Sequence, residues 1–144
     1  MSREAECAVV GAVLRDSALL ADERVRDLPP EDFGDDAARA LWAVIRRLHA
    51  AGGHADLVTV IEAVGDDAAG RALAANCRCM IDDCYSTANA GVYADRVRDA
   101  ARERRERVAA LTLAEALRQG DRETAGRLRA ELAALGSAAQ IGAG

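Results

Sequence analysis

Apolar residues along this chain recur at spacings of three and four, and the breaks between these runs fall on Asp, Ser, Gly and Pro. That pattern predicts helices. Helix one runs from about Arg3 to Leu14, with Ala5, Val9, Ala12 and Val13 on one face and Val10 and Leu14 broadening it. Asp16–Ser17 offers a break and a cap for a short helix to about Val25, anchored by Leu19 and Leu20. "DLPPEDF" (Asp27–Phe33) is a rigid connector, because its two prolines fix φ and stop a helix ahead of them. Phe33, the only Phe, is expected to plug the core beside it. Asp35 or Asp36 then caps a helix to about Ala51, with a stripe of Leu41, Val44, Ile45 and Leu48, closed by Gly52 or Gly53. Trp42 lies about 100° around the helix from Leu41 and is expected half-buried. Asp56 caps "LVTVIEAV", which buries Leu57, Val60, Ile61 and Val64. A fifth helix starts at Asp66 or Asp67 and runs to about Ile81, burying Leu73, Cys77, Met80 and Ile81.

The next helix is far longer. "STANAGVYADRV" (Ser86–Val97) begins with Ser86 or Thr87 as its cap, and nothing interrupts the helical pattern from Ala88 to about Arg118. Such a helix is on the order of 45 Å long, more than a small domain is wide. Tyr93, Val97, Ala100 and Ala101 in its first half can pack on a globule. In its second half Val108 and Leu111 lie on one side, Leu113 and Leu117 on another. Gly120–Asp121 is a turn with a cap, and a last helix over about Arg122–Leu135 carries Ala125, Leu128, Leu132 and Leu135 at coiled-coil-like spacing. A short link makes the two helices antiparallel.

The expected fold is therefore all-α: a helical globule over 1–86, a protruding antiparallel hairpin over 87–136, and a flexible tail over 137–144. One hairpin face can be covered by the return helix. The rest needs a partner, so Val108, Leu111, Leu113, Leu117, Leu128, Leu132 and Leu135 are the candidate self-association residues, in a dimer or something larger.

Composition narrows the function. Hydrophobic residues make up 51% and aromatics 3% of 144 residues, so the core is built of Ala, Val and Leu. The formal charge of −5 argues against coating DNA by bulk charge. All 19 basic residues are arginine, which excludes a P-loop lysine, a Schiff-base lysine and a Ser–Lys pair. No run approaches the ~18 apolar residues of a membrane span, and the amino end lacks the basic start of a signal peptide. A cytoplasmic protein that contacts no membrane is expected.

Few residues invite chemistry. Cys77, Cys79 and Cys84 form C-x-C-x4-C, but on a helix Cys79 points away from the other two; with Cys7 they are read as free thiols in preference to a zinc site. Six arginines within Arg96–Arg107 are interleaved with Asp99, Glu103 and Glu106, and read first as a solvated, salt-bridged face. The alternative is contact with an acidic partner or nucleic acid through Arg102, Arg104 and Arg105. No G-x-x-x-x-G-K-[ST], G-x-G-x-x-G or G-x-S-x-G is present, and no catalytic pair, metal or cofactor is assigned.

Five segments, in order, resemble the N-terminal domain of DnaB-type replicative helicases. They are "EAECAVVGAVL" (Glu4–Leu14), "LPPEDF" (Leu28–Phe33), "ALWAVIRRL" (Ala40–Leu48), "DLVTVIEAV" (Asp56–Val64) and "STANAGVYADRV" (Ser86–Val97). The departures are Cys7 where the family often has Gln, "GDDAARAL" (Gly34–Leu41) without the usual His before Arg39, Tyr85 for a common Pro, and the unusual "NCRCMIDDC". The resemblance implies a non-catalytic α-helical domain of a family whose full-length members are ATP-dependent helicases. It implies hairpins that pair between subunits into a collar on a hexameric ring. It also implies docking of DnaG-type primase and a bearing on helicase loading. Two other readings stand beside it: a free-standing regulator that binds a helicase or primase, and a helical nucleic-acid binder using Arg96–Arg107.

Overall fold

Aspartates mark the helix starts. Asp16, Asp22, Asp35, Asp56, Asp67 and Asp121 each accept a hydrogen bond from a backbone N–H two or three residues on, at 2.7–3.1 Å. Each meets a donor that the first turn of a helix leaves unpaired, and places negative charge at the positive end of the peptide dipoles. At Asp56 the arrangement is reciprocal, because the Thr59 hydroxyl accepts from the Asp56 N–H at 3.1 Å.

A computed structural model gives the chain's structure over residues 2–84 and 86–143, with side-chain surroundings over 3–84 and 86–137. Within it lie seven α-helices and no strand: α1 (Ser2–Arg15), α2 (Glu23–Arg26), α3 (Asp36–Ala50), α4 (Leu57–Val64), α5 (Ala68–Asp82), α6 (Ala90–Gln119) and α7 (Arg122–Ala143). The fold is all-α, as the periodicity predicts. Two compact units are distinct, Met1–Arg98 and Asp99–Gly144.

In the first unit α5 packs on α1 and α4, and α3 packs on α1, α4 and α5. Val9, Val10 and Val13 of α1, Leu41, Trp42 and Ile45 of α3, Val60 of α4, Met80 of α5 and Ala94 and Val97 of α6 share one core. Burying each of the larger side chains contributes roughly 1.5–3 kcal/mol. Glu6 is buried in the midst of this, yet it is satisfied. Its carboxylate accepts from the backbone N–H groups of Gly34 and Asp35, the latter at 3.1 Å, and so fastens α1 to the start of α3.

Several expectations need correcting. The helix expected over Ser17–Val25 is a 3-10 turn, Ser17–Ala21, followed by α2; Asp22 between them ends one and caps the other. Trp42 is fully buried, not half-buried. Its indole N–H donates to the Leu28 carbonyl at 2.7 Å, and its ring stacks on Phe33 with centroids 5.5 Å apart. The polar tip of the indole is thus satisfied, so nothing holds the ring at the surface. On α4 only Val60 is fully buried, while Leu57, Ile61 and Val64 are half-buried; Val44, Leu48, Leu73 and Ile81 are half-buried too. The Ser86 hydroxyl accepts from the Ala88 N–H at 3.1 Å and closes a turn ahead of α6, so the helix starts at Ala90, not Ala88. Tyr85 lies outside the described residues. The last helix extends past Leu135 to Ala143, and the tail expected over 137–144 falls almost wholly on residues whose side chains lie outside the described set.

Candidate interaction surface

The second unit is built around one reversal of the chain. α6 ends in a Schellman turn: the Asp121 N–H donates to the Ala116 carbonyl at 2.9 Å and the Gly120 N–H to the Leu117 carbonyl at 3.2 Å. Gly120 sits at φ +74°, which a side chain would strain. Asp121 then caps α7 at once. Its carboxylate accepts from the Thr124 N–H at 3.1 Å and from the Thr124 hydroxyl at 2.6 Å. The Thr124 hydroxyl and then its N–H hold the Asp121 carboxyl below the ordinary aspartate range. Two residues therefore end one helix and start the next.

The seam of the hairpin is made of small residues. Ala109 and Ala116 on α6, and Ala125 and Leu128 on α7, are buried. Ala109 and Ala116 are seven apart, two turns of helix, and so share a face. Other apolar residues lie outside that face. Val108 is 64% exposed, Leu111 73% and Leu117 51%, the most exposed large apolar side chains among the described residues of this unit. By helical angle Val108 lies on one flank of the alanine seam and Leu113 and Leu117 on the other, while Leu111 lies on the far side of α6, about 150° from the seam. A hollow of about 520 Å³ opens at the bend, between Leu117, Gly120, Arg122 and Arg129.

The seven candidate self-association residues therefore divide. Val108, Leu111 and Leu117 face water; Leu113, Leu132 and Leu135 are half-buried; Leu128 is inside the hairpin. The alanines of the seam were not among those seven. Their signal was the seven-residue spacing of Ala109 and Ala116, which a search for large apolar residues overlooks.

Charge does not oppose association here. Residues 99–144 hold eight arginines against seven acids, whereas residues 1–98 hold eleven against seventeen. Arg102 pairs with Asp99 and Arg118 with Glu115, each three residues apart on α6. Arg104 and Arg105 also have polar or electrostatic partners. Within the run, Arg98 pairs with Asp95 and Arg102 with Asp99, each at i,i+3.

The four cysteines are free thiols; Cys77 and Cys84 are buried, Cys7 is half-buried and Cys79 exposed. Burial pushes the Cys77 thiol up to about 11, against a smaller opposing pull from Arg78. Burial raises Cys7 as well, more than Arg3 lowers it. Among the described residues no group of three or more His, Cys, Asp or Glu is placed to hold a metal ion, and no helix is long and apolar enough to cross a membrane.

The comparisons follow the same lines. The family model described as the DnaB-like helicase N terminal domain matches residues 1–99. The crystal structure of the N-terminal domain of DnaB helicase from Mycobacterium tuberculosis is similar to this chain with a TM-score of 0.80 and 28% identity, over 90% of this chain and 95% of that one. No curated protein matches.

Proposed function

This chain belongs to the DnaB-like helicase N-terminal domain family, the non-catalytic helical domain of a replicative helicase, and from that premise we propose that it is an assembly domain working through its hairpin. Hairpins of two copies pack against each other, and the paired hairpins contribute to a collar on a helicase ring. The collar then gives primase or a loading factor a place to dock. The catalytic motor is no part of this role.

One observation carries the reading. Val108, Leu111 and Leu117 are more than half exposed on a hairpin whose own seam is already filled by Ala109, Ala116, Ala125 and Leu128. Exposed apolar residues outside a closed seam gain by meeting a second surface of the same kind. The near balance of arginine and acid in residues 99–144 lets two copies approach without net repulsion.

Sedimentation equilibrium across a concentration series tests it, on the wild type and on Val108→Ser with Leu111→Ser. The wild type should associate with rising concentration, and the double variant should remain monomeric while keeping its helical circular dichroism. A wild type that stays monomeric up to the millimolar range, or a double variant that associates equally well, overturns the proposal. Capture of purified primase by the associated form, and not by the double variant, supports the docking role.

A further inference from the structure

The root of α6 is held by charge. Gly91, in the first turn of α6, is buried, and the atoms above it belong to Arg24 of α2. A Cβ at that position would stand 2.6 Å from the Arg24 Cζ, so the guanidinium occupies the space that any side chain would need. Two carboxylates bracket it: Asp22 Oδ2 at 3.3 Å and, one turn along α6, Asp95 Oδ2 at 3.6 Å. Asp95 is in turn 3.4 Å from Arg98 Nη1. Asp22 has a second task, accepting from the Arg24 backbone N–H at 2.9 Å as the cap of α2. Arg24 is therefore fixed at both ends, by its own helix cap and by the first two turns of α6.

We infer that Arg24, seated on Gly91 between Asp22 and Asp95, is a salt-sensitive clasp that holds the first turns of α6 on α2. Gly91 leaves the guanidinium room to rest on the helix backbone itself, and a side chain there would displace it. The sensitivity follows from exposure. Arg24, Asp22 and Asp95 keep 55%, 39% and 50% of their side-chain surface in water, where dissolved ions screen them. The apolar anchors Ala90, Ala94 and Val97 hold α6 on the core regardless of salt, so the clasp adds to them at the first two turns and does not hold the whole helix. Because α6 is unbroken from Ala90 to Gln119, a change at its root acts on the same helix that carries Val108, Leu111 and Leu117.

Native-state hydrogen exchange of the full chain tests this, read at the backbone amides of Tyr93–Arg96 with the amides of α3 as an internal reference. At low salt Arg24→Ala should speed exchange at the root of α6 about two- to five-fold, and 1 M NaCl should erase the difference between variant and wild type. A double-mutant cycle with Gly91→Ala separates the clasp from helix propensity. By propensity alone alanine slows exchange equally in both backgrounds. With the clasp, alanine slows exchange in Arg24→Ala but less, or not at all, in the wild type, where it evicts the guanidinium. Equal slowing in both backgrounds overturns the inference. So does an Arg24→Ala variant whose α6 amides exchange as in the wild type at low salt.

Discussion

Gly11 of α1 lies directly against the backbone carbonyl of Met80 on α5. A Cβ added there would stand 2.9 Å from the Met80 carbonyl carbon and closer still to its oxygen. Gly11→Ala must therefore push two packed helices apart, and it should lower stability by roughly 1–3 kcal/mol in urea unfolding. Gly126 provides the contrast. It is exposed on α7 with nothing near its missing Cβ, so Gly126→Ala should raise stability by about 0.5–1 kcal/mol. The same substitution at two helical glycines is expected to have opposite signs.

Removing the indole N–H of Trp42 leaves the buried Leu28 carbonyl without its partner. Trp42→Phe should lower stability by about 1–3 kcal/mol beyond its loss of packing. Unfolding followed by far-ultraviolet circular dichroism reads this directly, since the only tryptophan is lost in the variant.

Leu128 and Leu111 separate holding the hairpin from offering it to a partner. Leu128 is buried and Leu111 is largely in water. Leu128→Ala should destabilise the hairpin by roughly 2–5 kcal/mol, seen as lost helicity or early melting. Leu111→Ala should leave the melting of the dilute chain within about ±0.5 kcal/mol of wild type while weakening self-association in sedimentation.

The Asp121 cap gives the hairpin a pH dependence. Its folded carboxyl titrates below the ordinary value of 3.8, through the Thr124 hydroxyl and then the Thr124 N–H. The unfolded chain thus takes up this proton first as pH falls. The stabilisation is fully present above 3.8 and is lost as pH falls through the lower folded value. Asp121→Asn keeps a capping oxygen and should flatten this limb of the stability–pH curve, as measured by thermal melting between pH 2 and 6.

Thiol labelling should follow burial. Cys79 is exposed and should take maleimide first in a mass-spectrometric time course, followed by half-buried Cys7. Cys77, buried and with its thiol raised to about 11, should stay unlabelled until the chain is unfolded.

The helices were legible because their starts and stripes are written locally. Asp56 caps where the sequence places it, Asp35 and Asp67 are each one of the two aspartates the sequence offers, and the face of Ala5, Val9, Ala12 and Val13 is buried as its spacing predicts. The burial of Trp42 is not legible in its angle on α3, which says nothing of the Leu28 carbonyl fourteen residues earlier that satisfies its only side-chain polar atom. The hairpin seam was harder to read. Leucines attract attention, but the close approach of two helices favours residues with little to move aside, and Ala109 and Ala116 fill that place while Leu111 is left in water. The surroundings of Gly91 are hidden in the same way, because the group over its backbone is an arginine 67 positions earlier in the chain.

The bend at Gly120–Asp121 contains no spare residue. Only Gly120, at φ +74°, and the cap Asp121 separate α6 from α7, and helical backbone at both would let the two run on as a single rod of about 80 Å. In that state the alanines of each arm would find their complement only on another molecule. The same sequence would exchange arms with its neighbours, and a self-contained unit would become one link of a domain-swapped chain.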